Sequence, residues 1–317
     1  MIPLVRNLML GFGMIVFCSG VVCGQDFPNK LIRIVTSPPG GGADFVARLM
    51  AQALSGPLGQ PVVIDNRQTP LIPEIVSKAP PDGYALALVG QGFWVAPFLE
   101  KTTYDPVRDF APITLTNRSP NILVVHPSLP VKSIKDLIAL AKAKPGELNY
   151  GSSPRGSTPH LAAELFKSMA GVNIVRVGYK GAVQALNDVI AGQVQLTFAT
   201  AAGVSPYIKA GRLRALAVTS AQPTVLAPGV PTVAATLPGY ESISTQSILA
   251  PAKTPAAIIN RLNQEMVRVL NSADIKEKLL AAGVEAYGTS PEELWATMKA
   301  EMARMGKVIK DAGIRNE

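Results

Sequence analysis

"TSPPGGGADFVARL" spans residues 36–49, and its reading decides the fold. A short β-branched run, "LIRIVT" (31–36), comes before it and an amphipathic segment follows. From Asp44 onward Phe45, Leu49 and Ala53 recur at helical spacing, with Val46, Met50 and Leu54 beside them. Glycine lets the backbone approach a ligand closely and adopt positive φ. The N–H groups of a helix start lack intrahelical partners and carry partial positive charge. A strand, a glycine loop and a helix in this order therefore suit an anion. The bland alternative is an ordinary βα turn, a common connection.

The same device recurs at Ser152–His160. Strand "LNYGS" leads into "SPRGSTP", and "HLAAELFKSMAG" is helical, with Leu161, Leu165 and Met169 as its stripe and Gly171 as its C-cap. Two such loops facing each other would hold one anion from both sides, and this pairing favours a site over two plain turns. Asp44 in the first turn already uses the dipole of its helix. A phosphate also wants a nearby cation, and Arg155 and Lys180 are the local candidates. No Lys-Ser/Thr pair of a phosphate loop is present, so a carboxylate fits better.

Outward from these loops, β and α signals alternate. Strands are expected at "PVVIDN" (61–66), "YALALVG" (84–90) and "NILVVH" (121–126), with a short helix over "PEIVSKA". In "SIKDLIALAKAKPG" Ser133 is the N-cap, Asp136 stands in for the Glu of a capping box and Gly146 closes the helix. "IVRVGY", a helix from Ala182 to Ala191, "VQLTFAT", a helix ending at Gly211 and "LRALAVT" read as βα units with parallel strands. Pro223–Gly239 is a surface loop, followed by strand "SILAP" and helices over Pro255–Asn271 and Ala273–Ala282. The last helix opens at "SPEELW", with Ser290 as N-cap, Glu293 at N3 and a core stripe of Leu294, Met298, Met302 and Met305. The fold class is α/β. Chain crossings near 121–126 and 246–250 would form a hinge, with the ligand cleft between lobes where strand C-termini meet helix N-termini. The expected division is lobe 1 over 25–123 and 246–317 and lobe 2 over 124–245.

Residues 1–24 have the pattern of a signal peptide: Arg6, the apolar "LMLGFGMIVFC" and small residues before a cut near Gly24. As a membrane span the segment is short and holds Gly11 and Gly13. A lipoprotein anchored at Cys23 is the weaker reading. Cys18 and Cys23 both fall in this leader, so the mature chain has no disulfide or thiol chemistry. The histidines are His126 and His160, and no HExxH or GxSxG pattern occurs, which leaves little for metal or hydrolase chemistry. No cofactor is expected. The formal net charge of +8 is scattered, unlike the concentrated charge of a nucleic-acid protein, and gives solubility and a mild attraction for anions.

"PNKLIRIVTSPPGGGADFVARLMAQALSGPLGQPVVIDNR", "PDGYALAL", "YDPVRDFAPIT", "LNYGSSPRGSTPHLAAELF", "GYKGAVQALNDVIAGQVQLTF", "AGRLRALAVT" and "APAKTPAAIINRLN" occur in that order. In these blocks the chain resembles the Bug-type periplasmic receptors, the substrate-binding proteins of tripartite tricarboxylate transporters. The resemblance implies a two-lobed periplasmic-binding-protein fold of type II that closes on a small organic acid and presents it to membrane transporter subunits. It also implies a monomer without catalytic or metal residues. Carried over by position, the carboxylate grip comprises Pro39, Gly40, Gly41, Gly42 and Asp44 of the first loop. The second loop contributes Ser152, Ser153, Gly156, Ser157 and His160, and the "YKG" block Tyr179, Lys180 and Gly181.

Three departures from the family pattern stand out. "QTPLIPEIVSKAPP" replaces a glycine-rich segment after Arg67, Ala199 stands where an acid is common, and Thr245 stands where a tryptophan is expected. They put the part of the pocket that reads the rest of the ligand in doubt, and Ala199 argues against an amino-acid ammonium. In "GQGFWVAPF" Gln91, Phe93 and Trp94 lie at a strand end, where an aromatic ring either walls the pocket or packs beneath the loop. His160 either donates to the anion or caps and packs; Lys180 either supplies charge or is solvated; His126 reads as structural. The rival functions are a ligand sensor feeding a signalling partner and a hydrolase using Ser157 and His160.

Overall fold

The computed structural model describes residues 27–153 and 155–314. The expected signal peptide, the Cys23 anchor and the first residues of lobe 1 lie outside the described residues. In chain order the protein begins with β1 (Ile32–Thr36), α1 (Gly42–Leu58), β2 (Val62–Asn66), α2 (Leu71–Ser77), β3 (Ala85–Gly90), α3 (Gly92–Val95) and β4 (Phe110–Val125). It continues with α4 (Ile134–Ala143), β5 (Asn149–Ser152), α5 (Thr158–Ala170), β6 (Val175–Gly178), α6 (Ala182–Ile190), β7 (Leu196–Thr200), α7 (Ala201–Lys209) and β8 (Arg214–Val218). It ends with β9 (Ile243–Pro251), α8 (Ala256–Leu270), α9 (Ala273–Ala281), the short β10 (Glu285–Ala286) and α10 (Pro291–Asp311).

β1 runs parallel to β2 and β3, and β5 runs parallel to β6 and β7. The two halves are joined by β4. From Phe110 to Pro120 it pairs antiparallel with β9, and from Asn121 onward it pairs antiparallel with β7 and β8. β9 also pairs antiparallel with β3. This is a two-lobed α/β fold, with strand order β2-β1-β3-β9-β4-β7-β5-β6.

The expectation of parallel strands throughout is corrected at β4, β8 and β9. β4 carries the chain from one half to the other and β9 carries it back, and their antiparallel partners are strands distant in sequence, so no local pattern sets their direction. The start of β4 also escaped the sequence reading, because Pro112, Pro120 and the polar Asn117–Ser119 break the strand pattern. The register shifts at Pro112/Thr114 and Leu115/Asn117, where bulges accommodate residues that interrupt a ladder.

Helix burial follows periodicity with local corrections. On α1, Val46, Met50 and Leu54 are buried, whereas Phe45 is 42% exposed. On α5, Leu161 and Leu165 are buried but Met169 turns outward. Ile34, Leu88 and Ile248 form one core with α1, α8 and α9. A second core joins Val35, Trp94 and Leu123 to Leu161 and Phe166 of α5 and to Leu294, Met298 and Met305 of α10. α10 thus packs against α3, β4 and α5 together rather than against the first half alone; Met302 is only partly buried. The N-caps form as expected: Ser133 accepts from Asp136 N, and Ser290 and Glu293 make a reciprocal box; Gly146 does not close α4, whose C-cap is Lys144 ahead of Pro145. Asp136 reaches Lys132 N, one residue before the N-cap.

Candidate functional site

The first loop is braced by its own acid. Asp44 is buried, and its carboxylate accepts from Gly40 N at 3.0 Å, Asn66 Nδ2 at 2.8 Å and Arg48 Nε at 3.0 Å. The Arg48 hydrogen bond, helped by Asn66 and Gly40, outweighs desolvation and lowers its pKa to about 2. Asn66 also donates to Ser37 O at 2.6 Å. Asp44 is therefore a strut that holds the loop. Gly40 has a φ of +86°, which favours glycine, while the N-cap Gly41 has an ordinary φ of −88°. No side chain caps α1, so its first N–H groups keep their partial charge for another acceptor. Gln246 of β9 reaches the same place: a Cβ at Gly42 would lie 3.8 Å from its Nε2. Its Oε1 is buried without a hydrogen-bond partner.

The second loop is braced by a residue outside it. Arg176 of β6 donates from Nε to Ser152 Oγ at 2.8 Å and from a terminal nitrogen to Ser153 O at 3.0 Å. Ser153 Oγ donates to Ser157 Oγ at 2.9 Å, and the N-cap Ser157 makes no side-chain cap to α5. Gly156 N donates to His160 Nδ1 at 3.0 Å, which leaves the ring proton of the neutral imidazole on Nε2. His160 is buried, and desolvation, reinforced by the Arg176 charge, lowers its pKa to about 4. It is a neutral brace for Gly156. No Ser157–His160 hydrogen bond joins the pair that a hydrolase would need.

Helices α8 and α9 also lack side-chain caps, so an uncapped start alone marks nothing. The starts of α1 and α5, together with the start of the short α2, open on one cavity of about 680 Å³, within the range of small-molecule sites. Ser37 and Ala43 line it from the first loop, and Arg155, Gly156 and Ser157 from the second. Its far wall is Thr69–Glu74, together with Phe93 and Leu99.

The other candidates are placed as follows. Pro39, Gly40, Gly41 and Gly42 are exposed on the first loop and do not line this cavity, nor do Ser152 and Ser153. Tyr179 joins the second loop through its N–H to Ser152 O, but its hydroxyl donates to Asp188 at 2.6 Å, and burial followed by Asp188 pushes its pKa up to about 12. Lys180 is exposed, and Gly181 is the uncapped N-cap of α6. Trp94 is fully buried beneath the site, its Nε1 donating to Glu301 at 3.0 Å. Gln91 is buried there too, its side chain hydrogen-bonded to Glu301. Thus Phe93, not Trp94, reaches the cavity. His126 bonds Ser128 in a turn. Arg176 and Gln246 were missed by sequence reading; for Arg176 the available signal was a lone charged residue within an apolar strand run, whereas Gln246 sits in the polar run Ser244–Ser247 and has no such mark. Among the described residues no group of three or more His, Cys, Asp or Glu is placed to hold a metal ion.

The family model described as "Tripartite tricarboxylate transporter family receptor" matches residues 46–314. Protein BugT of Bordetella pertussis is 30% identical over 320 residues, covering 98% of each chain. Among solved structures, R. palustris Rpa4515 with adipate is 40% identical, with a TM-score of 0.72 over 92% of this chain and 100% of that one. MatC from Rhodopseudomonas palustris, with bound malate, is 26% identical, with a TM-score of 0.68 over 89% of this chain and 100% of that one. The fold, its two glycine loops and these matches agree: the chain belongs to the tripartite tricarboxylate transporter receptor family of solute-binding proteins.

Proposed function

We propose that this receptor is exported to the periplasm, captures a small organic carboxylate between its lobes and delivers it to a tripartite tricarboxylate-type membrane transporter. One observation carries the reading: the uncapped starts of α1 and α5 open on the same cavity. Partial positive charge from two helix starts suits one carboxylate without a dedicated cation. The relatives with bound adipate and malate support this chemistry. The proposed lobes are 25–123 with 246–317, and 124–245. β4 and β9 lie at the two proposed crossings, so closure is a hinge motion in which the ligand favours the state with more contacts. The protein acts as a monomer and performs no covalent chemistry. Export proceeds through removal of residues 1–24.

The test is a thermal-shift panel of mono-, di- and tricarboxylates, amino acids and aromatic acids on the purified chain. A ligand at 100 times its Kd stabilises the native state by about 2.7 kcal/mol. A panel in which no acid moves the midpoint sinks the proposal, and turnover of a bound acid sinks its non-enzymatic part. Delivery is tested by uptake into vesicles holding the membrane subunits, with and without the receptor.

A further inference from the structure

We infer that the ligand is a monocarboxylate with an apolar body, and that Leu71, Phe93 and Leu99 are the residues that select it. This deepens the carboxylate reading above and rests on it. The cavity has two unlike ends. At the loops stand Ser37, Ser157 and the two helix starts. Away from them the lining is Leu71, Ile72, Pro73, Leu88, Phe93 and Leu99.

Several polar atoms of that far wall are already engaged. Tyr104 Oη donates to Phe93 O at 2.7 Å, so neither group is left for a ligand. Thr102 Oγ1 donates to Tyr104 O at 2.8 Å, and the Leu88 carbonyl accepts from Thr36 Oγ1 at 3.1 Å. Glu74 is paired with Lys78 at 2.7 Å. The charged lining residues are two acids, Glu74 and Glu100, and two bases, Lys101 and Arg155, so the wall carries no excess positive charge. A second carboxylate would find Lys101 here, but beside the acids Glu74 and Glu100, and a buried charge without a matched partner is costly. A hydrocarbon body would instead gain by leaving water.

The wall is also rigid. The Phe93 ring stacks on Tyr104 with centroids 4.9 Å apart and planes 5° apart, and it meets the Phe110 ring edge-on at 4.8 Å. Rings held from two sides keep a fixed shape, and a preformed wall costs less to bind against. Leu71 is half-exposed at the first turn of α2, and Leu99 is partly buried at the rim. These two side chains close the apolar end of the cavity.

The test is calorimetry on the purified chain with acetate, butyrate, hexanoate, phenylacetate, malate and citrate. Affinity is expected to rise about fourfold for each methylene added from acetate to hexanoate, the gain from burying one CH₂. Hexanoate and phenylacetate should bind at least tenfold more tightly than malate or citrate. Leu71→Asp places an acid at a helix start, where it suits the dipole and spares the fold. It should weaken hexanoate at least tenfold and weaken acetate less, so that the hexanoate-to-acetate affinity ratio falls toward one. Tight malate or citrate binding with a flat methylene series overturns the apolar-body inference and leaves the carboxylate reading standing. An unaltered hexanoate affinity in Leu71→Asp overturns the assignment of the wall. Failure of every acid to bind removes both readings together.

Discussion

Leu99 lies directly over Gly156: a Cβ built on the glycine would sit 2.5 Å from Leu99 Cδ1. Leu99 precedes the crossing strand β4 and Gly156 follows it, so the pair bridges the two sides of the cleft. Gly156 also has a φ of +76°, where a side chain costs about 1–2 kcal/mol. Gly156→Val should therefore lower affinity for the cognate acid at least tenfold by calorimetry. In melting temperature, adding Leu99→Ala to Gly156→Ala should recover the steric part of the destabilisation but not the backbone part. Wild-type affinity in Gly156→Val would show that this contact plays no part in closure.

Gly41 separates ligand approach from fold. Its φ of −88° suits any residue, and a Cβ there meets nothing closer than 3.9 Å. Gly41→Val should leave the melting temperature within about 2 °C of wild type, as expected for a surface change outside named mechanisms. Its affinity should nevertheless fall, because the branched side chain occupies space beside the uncapped start of α1. Normal affinity in both Gly41→Val and Gly156→Val would remove the two-loop grip.

The fold was legible where local signals were complete. The strand–loop–helix units around Thr36 and Ser152, the Ser290–Glu293 box and the buried stripe of α10 all follow from short-range pattern. What stayed hidden depends on long-range pairing. Pro112 and Pro120 hide the first part of β4, and the antiparallel return of β9 has no local mark. Within the candidate site the loops were readable, but their supports were not. Arg176 and Gln246 act from strands remote in sequence, and the switch from Trp94 to Phe93 as the cavity wall turns on which of two adjacent rings α3 directs toward the core.

Asp44 makes the first loop acid-sensitive. Its native pKa of about 2 lies below the ordinary 3.8, so its stabilisation is present above pH 4 and is lost as pH falls through 2. Urea midpoints should fall between pH 4 and pH 2 in the wild type, and fall less in Asp44→Asn. Parallel curves for the two proteins would show that the carboxylate does not support the loop.

Glu301 acts in the opposite direction. Desolvation raises its pKa from 4.5 to about 7, against the lowering effects of the Trp94 and Gln91 hydrogen bonds and the Arg304 charge; Glu241 adds to the rise. A folded pKa above the unfolded one gives stability that is full below pH 4.5 and lost as pH rises through 7. The scale is about 3 kcal/mol, to order of magnitude. Glu301→Gln keeps an acceptor for Trp94 Nε1 but cannot ionise, so it should flatten the stability profile between pH 5 and pH 8. The chain has two tryptophans, so Trp295→Phe leaves Trp94 as the sole indole reporter. In that background Trp94 emission should titrate with a midpoint near pH 7, and Glu301→Gln should abolish the transition. An emission curve unchanged by the Gln substitution would assign the proton elsewhere. Because Trp94 and Phe93 are adjacent on α3, the same titration measured with and without hexanoate tests whether charge beneath the site reaches the cavity wall. A shift of the midpoint on binding is the expected sign of that coupling, since any ligand that prefers one protonation state moves the equilibrium toward it.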